Sequence, residues 1–162
     1  MTGRDGQRAK VYAAEEFVRI MFDRAAQRGD RSIDFFGTQL TLPPEARFAS
    51  LDSVRTYLGD VLALPSVRQQ WPAAGPVQVR ARRGLAAAHY EAETATMAVP
   101  ERHTTWALRE LVVLHELAHH LCTEGAPHGR EFVATLCELA GAVMGPEVQH
   151  VLRVVYAKEG VQ

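Results

Sequence analysis

The stretch Leu111-Val112-Val113-Leu114-His115-Glu116-Leu117-Ala118-His119-His120-Leu121 places imidazoles and a carboxylate inside an apolar run. Read as a helix it is apolar on most of its surface, which predicts a helix sunk into a core rather than one lying on the outside. Residues at i and i+4 share a helix face one turn apart, so His115 and His119 point the same way. Two imidazoles so placed can converge on one ion at the roughly 2.0–2.1 Å usual for zinc–nitrogen bonds. Glu116, turned by about 100° from His115, misses the ion and is set to reach a water beside it as general base. An apolar core does not ordinarily tolerate these three polar groups together unless something pairs them.

A site that binds zinc for catalysis needs a third protein ligand. Downstream, Ala126-Pro127-His128-Gly129-Arg130-Glu131 offers His128 after a Gly/Pro turn that can fold the chain back over the helix. Glu138, nineteen residues past His119, is the competing ligand, and Glu131 ranks below both. A metzincin arrangement would put its third histidine at position 125, which is Gly125. Four of the seven histidines, His115, His119, His120 and His128, fall within fourteen residues, whereas His89, His103 and His150 stand alone and read as structural or exposed.

Outward from this block, the helix is predicted from about Trp106 to Cys122, capped by Thr104 or Thr105. A second helix follows from Gly129 to Met144, and Gly145-Pro146 stops it and starts a last helix to about Ala157. Upstream, Val77, Val79 and Ala81 alternate with polar residues as in a half-buried strand. Arg83-Gly84 reads as a tight turn, Leu85 to Tyr90 as the returning strand, and Thr94 to Val99 as a third extended piece closed by Pro100. Arg80, Arg82 and Arg83 make a small basic spot, read as a solvated turn. Farther back, a helix is expected from Ser50 to about Ala63, ended near Pro65. A hairpin or bent strand around Gly37 is expected over Ile33 to Leu42, and an amphipathic helix from about Arg8 to Arg28, stopped by Gly29-Asp30. The class is therefore α+β, with a small mixed or antiparallel sheet of three to five strands, four or five helices, and the His115–His119 helix central.

The block HELAHH…HGREF resembles the active-site block of the SprT-like zincins, where an H-E-x-x-H helix is followed after a short loop by H-G-x-x-F. It is also similar to a family of small actinobacterial proteins described only as metallohydrolases. The SprT-like resemblance covers mainly residues 105 to 135. It implies a zincin-like fold, with His115, His119 and His128 as Zn2+ ligands and Glu116 as the catalytic base. In such folds an extended strand runs along the cleft and pairs with a peptide substrate; Thr96 to Val99 is the segment assigned to that edge, with an ordinary strand as the alternative. Oxyanion partners could be Tyr90, His103, His120 or Tyr156. No zinc ribbon or DNA-binding extension accompanies the block, so a role on DNA–protein crosslinks is not implied.

Composition bounds the rest. The 162 residues, 47% hydrophobic and 23% charged, suit one domain over 1–162. A net charge of −1 argues against a protein whose main task is gripping nucleic acid. No membrane span or secretory signal is read, which makes a cytoplasmic location the default expectation. The two cysteines, Cys122 and Cys137, match no zinc-ribbon or redox spacing and read as reduced, half-buried thiols. The expected function is a zinc-dependent hydrolase, a metallopeptidase acting on a peptide or protein substrate. The alternative is a non-catalytic zinc-binding domain whose fourth ligand is Glu131, Glu138 or Cys122.

Overall fold

The computed structural model of the chain describes residues 4–83, 87–100 and 108–162, among which six α-helices and five strands form an α+β structure. They group into two units, Met1–Pro44 with Glu124–Gln162, and Glu45–Thr123. Among the described residues no helix is long and apolar enough to cross a membrane.

In the first unit, helix α1 (Arg8–Arg28) buries Val11, Ala14, Val18, Phe22 and Ala25, a helical repeat that makes one continuous face. Gly29 ends it in the left-handed conformation. Strands β1 (Ser32–Phe35) and β2 (Thr38–Thr41) form the expected hairpin. Its two-residue loop, Phe36-Gly37, has positive φ at both positions, the turn whose twist matches paired strands. The helices numbered α5 (Arg130–Met144) and α6 (Pro146–Lys158) pack on each other, and α6 also packs on α1. Gly145 separates them at φ 111°, and Pro146 opens α6.

In the second unit, α2 (Leu51–Ala63) carries the expected Ser50 cap, completed by a reciprocal bond from Ser53. The helix ends at Ala63, just ahead of Pro65 as expected; Pro65 also opens a further helix, α3 (Pro65–Gln70), because a first-turn position needs no N–H and suits the fixed φ of proline. This is why the helices among the described residues number six rather than four or five. The sheet also departs from expectation. Strands β3 (Gln78–Arg82) and β4 (His89–Glu91) are not a hairpin: β5 (Thr96–Pro100) lies between them, parallel to β3 and antiparallel to β4. All five β5 residues are buried, and both of its edges are already bonded. The assignment of Thr96 to Val99 as an open edge for a peptide is therefore wrong, since strand addition needs unpaired backbone groups. The basic spot is occupied locally, with Arg80 on the Glu91 carboxylate and Arg82 on the Ala87 carbonyl. Gly84, with the expected turn and the start of the returning strand, lies outside the described residues.

The helix that carries His115 and His119, α4 (Glu110–Leu121), starts later than the expected Trp106, and every residue from Glu110 to Ala118 is buried. Thr104 and Thr105 lie outside the described residues, and the N-cap position is Arg109, which supplies no side-chain cap. The cap comes from far away in sequence. The Glu45 carboxylate accepts the Leu111 N–H at 3.0 Å and a forked pair of bonds from Arg109, the shorter at 2.6 Å. Glu110 in turn accepts from the Ala46 N–H at 3.1 Å and from the Tyr57 hydroxyl. Burial and the adjacent Glu110 carboxylate push the Tyr57 hydroxyl far above its ordinary pKa, so it stays a donor. A carboxylate at a helix N-terminus also meets the positive end of the helix dipole.

The Glu45 and Arg109 side chains are only 5% and 4% exposed. Removing one member of such a pair strands the other in the interior. Glu45→Ala is therefore expected to cost about 3–5 kcal/mol, seen as a lowered urea midpoint. A loss below about 1 kcal/mol, the size of an exposed pair, would show that this contact does not hold the helix.

Candidate metal centre

Two of the three expected ligands follow from α4 alone. His115 and His119 sit one turn apart with ring centroids 5.0 Å from each other. His115 is buried with the helix and His119 is half-buried, and Glu116, beside His115, is a buried carboxylate. The burial follows from the apolar neighbours Leu114, Leu117 and Ala118, all fully enclosed.

His128 occupies the turn before α5. Its ring lies against Tyr12 and edge-on to Phe132, with centroids 5.2 Å away in both cases. Its Nδ1 is 2.9 Å from the Asp5 carboxylate, and its backbone carbonyl accepts the Gln7 side-chain amide at 2.9 Å. Neither Asp5 nor Gln7 was singled out from sequence, where both belong to a polar opening stretch with no motif.

One nitrogen from each of His115, His119 and His128 lies within 4.8 Å of the others, close enough to hold a metal ion. A tetrahedral ion with bonds of about 2.0–2.1 Å spaces its ligand atoms roughly 3.4 Å apart, a spacing inside the 4.8 Å that bounds these nitrogens. Imidazole nitrogens are borderline donors suited to zinc and to neighbouring first-row ions. The donor set therefore fits. The competing ligands do not join it: Glu131 and Glu138 are exposed and stand outside the group found among the described residues. Cys122 is half-buried at the end of α4, and Cys137 is buried, its thiol pushed up to about 12 by desolvation and so kept protonated.

The structure sorts the oxyanion candidates by what they already bond. The Nε2 of His120 meets the Gly75 carbonyl at 2.8 Å, an atom that can only accept, so Nε2 carries the proton and Nδ1 the lone pair. That lone pair takes the Tyr90 hydroxyl at 2.8 Å. Burial raises the Tyr90 pKa, which keeps the hydroxyl a donor. Tyr90 and His120 thus form a relay that ties β4, α4 and the loop at Gly75 together, with their protons already directed. Tyr156 is enclosed in the first unit, its pKa raised by burial and then by Glu15. His103 lies outside the described residues. His89 pairs with Glu91, and His150 packs edge-on to Phe35.

No protein-family model, curated protein or solved structure matches the chain.

Titration with Zn2+ or Co2+ is expected to saturate at one ion per chain. The double substitution His115→Ala with His119→Ala should abolish binding, and Glu138→Ala should leave it unchanged. Loss of the ion in the Glu138 variant would restore the glutamate as a ligand.

Proposed function

We propose that this chain is a zinc-dependent hydrolase with a zincin-like fold, a metallopeptidase that cleaves a peptide or amide bond of a peptide or protein substrate. The observation that carries this reading is the meeting of three imidazole nitrogens within 4.8 Å, with Glu116 one residue along the same buried helix from His115. Among the described residues that group contains three ligands and no fourth, the number that leaves a coordination position for water or substrate. This favours catalysis over a closed structural site.

His115, His119 and His128 would hold the ion. When bound, zinc supplies a Lewis acid that brings the pKa of water to about 7 and polarises a carbonyl oxygen. Glu116 takes the proton from the attacking water and delivers it to the leaving amine nitrogen. The apolar residues around it, Leu114 and Leu117 among them, keep bulk water from competing for the same proton.

The Glu116→Gln variant keeps the shape of the side chain and removes the base. It is expected to bind zinc with unchanged stoichiometry while hydrolysis of a mixed fluorogenic peptide library falls by roughly 10²–10⁴-fold. Hydrolysis that persisted at the parent rate in the zinc-loaded variant would contradict the mechanism.

A further inference from the structure

Asp5 makes a contact that its position in the sequence does not explain. Residues 4–7 precede α1 and contribute no helix cap, since the N-cap position Gln7 makes no side-chain cap bond. Yet Asp5 Oδ2 reaches His128 Nδ1 at 2.9 Å, and the carboxylate is largely enclosed, with its side chain 26% exposed. Its other oxygen, Oδ1, is buried and hydrogen-bonds to no described residue. A half-satisfied carboxylate is a costly thing to enclose for stability alone.

The same segment grips the ligand a second time. Gln7 donates to the His128 carbonyl at 2.9 Å and to the Gln162 carbonyl at 3.1 Å, and its side-chain oxygen accepts the Gln162 N–H. Arg4, Gly6, Gln7 and Lys10 also share with His128 the wall of a cavity of about 590 Å3. Side chain and main chain of this one histidine are therefore held by residues more than a hundred positions away.

We infer that Asp5 is a positioning residue for the metal centre: it fixes the ring plane and tautomer of His128, so that the segment before α1 is a working part of the site. A carboxylate can only accept at Nδ1, which places the proton there and directs the lone pair of Nε2 outward as the ligand atom. The carboxylate also makes that nitrogen a better donor to a cation. His115 and His119 owe their alignment to helix geometry, whereas His128 stands in a turn and needs an external constraint. This inference rests on the three-histidine metal reading and adds to it a residue outside the H-E-x-x-H block.

The test compares the parent chain, Asp5→Ala and Asp5→Asn by zinc competition against a chromophoric chelator, with thermal melting of the metal-free and zinc-loaded forms alongside. Asp5→Ala is expected to bind zinc roughly 10–100-fold more weakly while its metal-free melting temperature stays close to that of the parent. Asp5→Asn, which retains an acceptor for Nδ1–H, should recover part of the affinity. Parent-like affinity in Asp5→Ala would overturn the inference. So would a fall in the metal-free melting temperature as large as that of the loaded form, since that marks a purely structural bond. Failure of the parent chain itself to bind zinc would instead overturn the metal reading, and the two outcomes are read from different samples.

Discussion

A helix that is buried from Glu110 to Ala118 must have the polar groups at its start satisfied by something other than water, and the Glu45 carboxylate does this for α4. The free N–H groups of a first turn are costly inside a protein. Glu45 accepts one of them, holds Arg109 in a fork and meets the helix dipole, while Glu110 accepts from Ala46 and Tyr57. These contacts set where the helix begins and hold it in register against the segment around Ala46 to Phe48, whose backbone also pairs with Leu108 and Glu110. His115, His119 and His120, all on α4, inherit their positions along the chain from that anchorage.

Two means of placing an imidazole of the cluster operate in this chain. His115 and His119 are held by the pitch of a helix whose neighbours are fully packed, so little beyond the helix is required to aim them. His128 has no such support and is held by hydrogen bonds at both its ring and its carbonyl. His120 illustrates the contrast. It is adjacent to His119 on α4, yet it turns to Gly75 and Tyr90 and serves as a tie between elements. Adjacency in sequence does not decide which histidine joins the cluster; the face of the helix and the partners it finds there do.

What was legible in the sequence was local. The spacing of His115, Glu116 and His119, the Ser50 cap, the Gly29 stop and the Gly145-Pro146 break all act within a turn or two of backbone, and the structure carries each of them. His128 was readable because imidazole chemistry and a Gly/Pro turn coincide there. The rest depends on partners distant in sequence. The parallel pairing of β3 with β5 leaves no turn signature, whereas the hairpin expected in its place had one in Arg83-Gly84. The start of α4 is set by Glu45, and the local candidates Thr104 and Thr105 gave no hint of it. Asp5 and Gln7 are ordinary polar residues in an opening stretch without pattern; only the fold reveals that they face His128.

The central claim is that three imidazoles of this chain bind one ion and leave room for a small ligand. X-ray absorption at the zinc edge of the loaded protein tests it most directly, because scattering from imidazole rings can be counted apart from that of oxygen or sulfur. The expected spectrum shows three imidazole nitrogens and one oxygen at about 2.0–2.1 Å. Two or fewer imidazoles, or a sulfur at about 2.3 Å, would contradict the account.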